Sequence, residues 1–290
     1  MQTYDNIYFD SSNESDWLYN IAIAYTKYRQ QCLRLNIMLS FSPSINRQTL
    51  GPLHLVTLAC LIHYLDSKGY IVSMDTSNTD LYEYIFNDLD FAAYWSGGKN
   101  HVNANSSANI FNLWRIIESE KDLYAKNVEE YFKRKYFKNK DLSAISVSLV
   151  EAFYNVFDHA HANGNAFSII FYNEEKQELS YAVADFGIGI PTSVKGFIPS
   201  FKQDTDAIIW ALKDNATVKS TSRNKGFGMS NILSAASQAR IISNHGLIHK
   251  TENGLKPHHI NNFSFPGTLI YLTVNMTEFE DEEVLESFNL

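Results

Sequence analysis

At 290 residues, the chain has room for about two domains of ordinary size. Its 45% hydrophobic and 19% charged residues describe a globular protein, and a net charge of −8 argues against nucleic acid as a direct ligand. No apolar run reaches the ~18 residues of a membrane span, and the polar, acidic stretch from Met1 to Asp16 is unlike a signal peptide. Two cysteines, Cys32 and Cys60, make no disulfide framework and suit a reducing compartment, so a soluble cytoplasmic protein is expected.

In chain order, residues 1–16 read as a poorly ordered or partner-dependent lead, and Trp17 to Arg34 as a helix. Leu35 to Phe41 reads as a strand, followed by a loop from Pro43 to Pro52. Leu53, Val56, Cys60, Leu61, Tyr64 and Leu65 recur at helical spacing, and Gly69 fits the stop. Tyr70 to Met74 then predicts a short strand and Asp80 to Leu89 a second helix. This β-α-β-α order carries no phosphate loop and no cluster of titratable groups. Tyr94 to Ser107, with Gly97-Gly98 and many Asn and Ser residues, reads as a linker.

Glu118 to Lys140 predicts a charged helix whose basic end, from Lys133 onward, fits a solvated face better than an anion patch. Leu142 to Ala160 predicts a helix with Leu149, Phe153, Val156 and Ala160 on one face and Glu151, Asn155, Asp158 and His159 on another. Phe167 to Tyr172 and Leu179 to Asp185 predict strands joined by a polar turn. Pro191 to Lys225 is long and polar, with one helical piece near Asp206 to Leu212, as in a functional lid. Gly228 to Ala239 predicts a helix, Arg240 to Asn244 and Leu247 to Lys250 paired strands, and Gly267 to Asn275 a last strand. Glu278 to Glu286 is an acidic tail, most simply solvated. His245 and His249 flank Gly246 in the expected hairpin, and His258-His259 reads as a loop pair.

Four short pieces carry the chemistry. Glu151 and Asn155 project from one helix face one turn apart. A carboxylate there can orient or deprotonate an attacking oxygen, and an amide oxygen can ligate Mg²⁺. An ordinary exposed polar face would carry the same pair. Asp185 continues the apolar face of Leu179, Tyr181 and Val183, where an unpaired carboxylate is costly. A hydrogen-bond donor such as an adenine amino group would satisfy it, and Gly187 and Gly189 let backbone come close. A turn closing a strand would look similar. The third piece, Ser222-Arg-Asn-Lys225-Gly226-Phe227-Gly228-Met229, precedes a helix whose exposed N–H groups suit phosphate oxygens. The fourth is Gly267-Thr268, whose hydroxyl could reach a base.

In order, spacing and context, these pieces resemble the GHKL ATPases (gyrase, the heat-shock chaperone, histidine kinases and MutL). Glu151–His159 looks like the N box, Asp185–Ile190 the G1 box, Gly226–Met229 the G2 box and Gly267-Thr268 the final Gly-Thr element; the resemblance spans roughly residues 140–276. It implies ATP and Mg²⁺ as cofactors. Asn155 would ligate Mg²⁺, with Asp158 and His159 nearby on the helix. Asp185 would accept from the adenine, with Gly187, Gly189, Ile190 and Thr268 near the base. Lys225, Gly226, Phe227, Gly228 and Met229 would hold the phosphates, residues 191–225 would be the ATP lid, and Glu151 would be the catalytic group.

The expected fold class is α/β: a two-layer α/β sandwich of Bergerat (GHKL) type, preceded by a small α/β module that weakly resembles a STAS-like domain. The expected division is a lead and helix over 1–34, a small regulatory module over 35–117, the ATP-binding domain over 118–276 and the tail over 277–290. Glu at position 151 resembles the ATP-hydrolysing members and the anti-sigma-factor serine kinases. None of the nine histidines precedes an acidic residue, unlike the phosphoacceptor of a sensor histidine kinase. The expectation is therefore ATP hydrolysis, or phosphotransfer to a protein hydroxyl, within a regulatory switch. The alternative is a nucleotide-gated interaction module of a bacterial regulatory or defence system with incidental turnover. A protein partner, and a homodimer as one form of it, are the implied contacts.

Overall fold

The computed structural model describes residues 4–30, 35–91, 109–159, 166–213 and 228–281. The expected linker at 94–107 and the far part of the lid lie outside the described residues. The front of the chain alternates β1 (Tyr4–Phe9), α1 (Glu14–Arg29), β2 (Asn36–Phe41), α2 (Pro52–Ser67) and β3 (Ile71–Met74). The strands form a three-stranded parallel sheet in the order β1-β2-β3. The expected lead is therefore a strand. Ile7 and Phe9 are buried at two-residue spacing while Tyr4 and Tyr8 stay exposed, the pattern of a strand covered on one face.

Helix α1 starts where Asn13 accepts hydrogen bonds from the Ser15 and Asp16 N–H groups, and acidic residues in its first turn and basic ones in its last complement its dipole. Helix α2 begins with Pro52 and is buried almost all round through Leu61. Gly69, at φ +83°, gives the left-handed turn that ends it. The Trp17 indole N–H donates to Thr57 Oγ1 at 3.0 Å and joins the two helices in the core. Beyond β3, α3 (Thr79–Glu83) runs into a π-helical turn over Tyr84–Asp88.

The second sheet has seven strands: β4 (Ile110–Ile116), β5 (Ala166–Asn173), β6 (Glu178–Asp185), β7 (Gln238–Asn244), β8 (Gly246–Thr251), β9 (Gly254–His259) and β10 (Phe265–Asn275). Their order is β4-β5-β6-β10-β7-β8-β9, antiparallel throughout. Strand β4 lies within the stretch expected as the front module, yet it pairs with β5 of this sheet. His258 and His259, expected in a loop, lie on the edge strand β9. The remaining helices are α4 (Lys121–Lys135), α5 (Ser143–His159), α6 (Ile190–Phe197), α7 (Asp204–Ala211) and α8 (Gly228–Ser234). Two of the expected ranges differ: α6 occupies a stretch read as irregular lid, and α8 stops at Ser234 so that β7 can begin.

Alternation along the strands sends side chains to two cores. Leu179, Tyr181 and Val183 of β6 pack with α4, α5 and α8, while Ala182 and Ala184 face α2. Two alanines in the central strand let α2 lie close against the sheet. The large sheet is thus covered on both faces, by α5 and its neighbours on one and by α1 and α2 on the other, with the small sheet outside the latter pair. The molecule is mixed α/β, with more layers than the expected two-layer sandwich standing beside a separate module. The acidic stretch is not wholly solvated: the Asp141 N–H donates to Glu280 O at 3.3 Å, and the Lys140 ammonium donates to Phe279 O at 2.5 Å.

Candidate functional site

Three polar residues stand in one row across the middle of the large sheet. Asp185 at the end of β6 pairs with Thr268 of β10, and Thr268 pairs with Ser243 of β7. All three are buried. By alternation they lie on the α5 face, continuing the columns of Val183, Ile270 and Ile241.

The hydroxyls of this row have defined roles. Ser243 Oγ donates its single proton to Gly267 O at 2.7 Å and accepts from the Ile190 N–H at 2.9 Å. Its 3.2 Å contact with Thr268 Oγ1 is therefore donated by Thr268, whose lone pairs remain as acceptors. Asp185 Oδ1 accepts from the Gly187 N–H at 2.8 Å. Asp185 Oδ2 is buried and has no hydrogen-bond partner. Burial pushes the Asp185 carboxyl up to about 7, against the lowering effect of the Gly187 and Thr268 backbone N–H groups. A buried acceptor without a donor beside a hydroxyl with free lone pairs is a site for a ligand that brings N–H groups.

Two glycines make this corner possible. Gly267 has φ +115°, and a Cβ there would come within 2.2 Å of Asp185 O and 2.6 Å of Gly187 N. Gly189 has φ +80°, and a Cβ there would meet Asn244 Oδ1 at 2.5 Å and Ser243 Oγ at 2.7 Å. The segment after Asp185 is therefore folded tightly against the ends of β7 and β10. Ile190 then opens α6 with its side chain in the core.

Helix α5 lies on the same face of the sheet. Ser148 anchors it: Tyr181 Oη donates to Ser148 Oγ at 2.8 Å, and Ser148 Oγ donates to Ile232 O of α8 at 2.9 Å. One turn along, Asn155 Nδ2 donates to Glu151 O at 2.8 Å. That bond fixes the amide, and among the described residues Oδ1 accepts no hydrogen bond, so it is available to a hard cation. Glu151 is half-buried, and burial raises its carboxyl above the ordinary range.

The structure thus brings Asp185, Gly187, Gly189, Ile190 and Thr268 together, with Glu151 and Asn155 on the helix over the same face. Gly228 begins α8, which packs along α5. Lys225, Gly226 and Phe227, and the side chains of Asp158, His159 and Met229, lie outside the described residues. Sequence reading took 240–244 only as a strand and missed Ser243 and Asn244. The signal was available, because the two-residue period from Ala239 through Ile241 puts Ser243 on the face of Asp185. Thr192 Oγ1 donates to Asn244 Oδ1 at 3.3 Å, tying α6 to the end of β7.

The stretch expected as a lid is docked at its start. The Lys195 ammonium lies 2.5 Å from Asp204 Oδ1, and Asp204 Oδ2 accepts from the His245 N–H at 2.9 Å. Burial raises the Asp204 carboxyl, and the Lys195 ammonium with the His245 N–H outweighs it, leaving it below the usual carboxylate range. Among the described residues no three His, Cys, Asp or Glu side chains gather as a metal site. No family model matches the chain, and no curated protein sequence matches it.

Proposed function

We propose that the protein binds an adenine nucleotide with Mg²⁺ in the manner of the GHKL ATPases, and that it hydrolyses ATP or passes its γ-phosphate to a protein hydroxyl as part of a regulatory switch. The observation that carries this reading is the unpartnered, buried Asp185 Oδ2 beside Thr268 Oγ1. An adenine presents an amino group that donates, whereas a guanine presents a carbonyl oxygen at the same ring position and would leave Oδ2 unsatisfied. A Bergerat-type sandwich for the large sheet and a STAS-like front unit belong to the same proposal. The seven-stranded antiparallel sheet under α5, and the parallel β1-β2-β3 sheet, support them.

In this reading the Asn155 amide holds Mg²⁺ by Oδ1, its Nδ2 being held by Glu151 O. Bound MgATP supplies a transferable phosphoryl group. Glu151 accepts the proton of the attacking water or hydroxyl, a role that its raised carboxyl suits. The N–H groups at the start of α8 face the phosphates. Steady phosphate release that disappears in Glu151→Ala while MgATP binding persists supports hydrolysis. Label transferred to a co-purifying protein supports phosphotransfer. Absence of MgATP binding to the wild-type protein overturns the reading.

A further inference from the structure

Phe186 directly follows Asp185, and its ring does not face the nucleotide corner. Strand pairing of β6 with β10 ends at the Asp185–Thr268 pair, so Phe186 is the first residue past the ladder. Its ring lies against three others: Tyr25 of α1 at 5.3 Å, Phe265 of β10 at 5.8 Å and Tyr64 of α2 at 6.2 Å between centroids. The Tyr25 and Phe265 contacts are edge-on, the favourable geometry for rings, and Tyr25 and Tyr64 are themselves only 4.4 Å apart. Helix α1 is held firmly enough to serve as an anchor: Glu14 at its start pairs with Arg240 of β7, and Trp17 bonds to Thr57 of α2.

The other side of this segment is open. A cleft of about 570 Å³ borders Phe186, Gly187 and Ile188, with Arg29 and Asn244 on its walls. The ring contacts are therefore the main restraint on Phe186. The next residue, Gly187, gives the N–H that orients the Asp185 carboxylate. Displacing Phe186 would move that N–H and turn the carboxylate with it.

We infer that Phe186 is a positioning residue, clamped by Tyr25 and Tyr64 of the N-terminal helices, that sets the Asp185 carboxylate for base recognition and links nucleotide occupancy to α1 and α2. The inference rests on the adenine-nucleotide reading of the site. By reciprocity, a nucleotide that orders Asp185 and Gly187 also steadies the N-terminal helices.

Calorimetric titration of the full chain with MgADP and with MgIDP, whose base has a carbonyl in place of the amino group, tests it. The proteins compared are the wild type, Phe186→Ala, Tyr25→Ala and Tyr25→Phe. Loss of one or two ring contacts at ~0.5–1.5 kcal/mol each converts to roughly three- to twentyfold weaker MgADP binding in the two alanine variants. The preference for MgADP over MgIDP falls with it, which general loosening of the fold would not produce, and Tyr25→Phe restores both. In the wild type, MgADP slows amide exchange in the last turns of α1, and Tyr25→Ala abolishes that protection. If the wild type binds MgADP and both alanine variants keep its affinity and base preference, the clamp is overturned and the nucleotide reading stands. If the wild type binds no MgADP, the nucleotide reading fails and the clamp falls with it. Because Phe186→Ala removes a packed ring and could unfold the chain, Tyr25→Ala, cut from the half-buried α1 side, carries the test independently.

Discussion

Asp185 and Thr268 sit directly opposite each other on neighbouring antiparallel strands, the carboxylate with one buried oxygen unpartnered and the hydroxyl with its lone pairs free. In a core where polar atoms are normally paired, this arrangement weakens the unliganded protein and serves a bound one.

The first prediction works out the sign of that cost. An acid whose folded pKa is raised, here to about 7, costs no stability below the unfolded value, and the full cost is present once pH exceeds the folded value. Thermal stability of the unliganded wild type should therefore fall between pH 5 and pH 8 through this residue. Asp185→Asn should flatten that dependence and be roughly 1–3 kcal/mol more stable than wild type at pH 8, while binding MgADP more weakly. Wild-type affinity for MgADP should rise as pH passes through 7, because the ionised carboxylate is the better acceptor. Thermal melts and titrations at pH 6, 7 and 8 read both effects, and a variant that is weaker in stability as well as binding would contradict them.

Gly267→Ala should be among the most damaging single substitutions. Its Cβ would sit 2.2 Å from a backbone oxygen at a φ of +115°, so neither rotamer change nor side-chain relaxation relieves the clash. A loss of ~3 kcal/mol or more is expected in denaturant unfolding. Gly189→Ala displaces the Asn244 and Ser243 side chains instead, so it should retain more stability and lose MgADP binding.

Glu151→Gln should keep nucleotide affinity within a few-fold and lower turnover by ~100-fold or more. Burial raises the Glu151 carboxyl, so the acid limb of the wild-type pH–rate profile should lie above the ordinary carboxylate range, with activity rising as the group ionises. A profile flat down to pH 4.5 would remove Glu151 as the base.

The pair of Lys195 and Asp204 makes the opposite kind of pH statement. Asp204 has a lowered folded pKa, so its contribution is fully present above the unfolded carboxylate value and is lost as pH falls through the lower folded one. Lys195→Met should destabilise the protein by ~1–2 kcal/mol at pH 7 and shift acid unfolding to higher pH. Equal acid-unfolding midpoints would deny the pair this role.

Ser148→Ala removes the acceptor of Tyr181 Oη and the donor to Ile232 O in one step, both deep in the core. The expected loss is ~2–3 kcal/mol, measured by urea unfolding.

Much of this was legible in the sequence, and the misses have identifiable causes. The face of Leu179, Tyr181, Val183 and Asp185 follows from strand periodicity, and its Thr268 partner from the Gly-Thr step. Strand β1 was hidden because Asp5 and Asn6 read as loop residues. In the structure Asp5 pairs with Lys27, and Ser40 donates to Asn6, so both are accommodated. Strand β4 was hidden by Asn112, whose amide donates to Leu89 O at 3.2 Å inside the core. No local pattern told that Ala182 and Ala184 would seat α2, because which helix covers a sheet face is settled by long-range packing. The aromatic seat of Phe186 was invisible for the same reason, since Tyr25, Tyr64 and Phe265 are distant in the chain.

The most direct test of the nucleotide site is one calorimetric comparison at pH 7.5, in which MgADP and MgIDP are titrated into the wild-type protein. Recognition by Asp185 Oδ2 predicts saturable MgADP binding at one site per chain and at least ~100-fold weaker binding of MgIDP. No binding of MgADP, or equal binding of the two, would contradict the account.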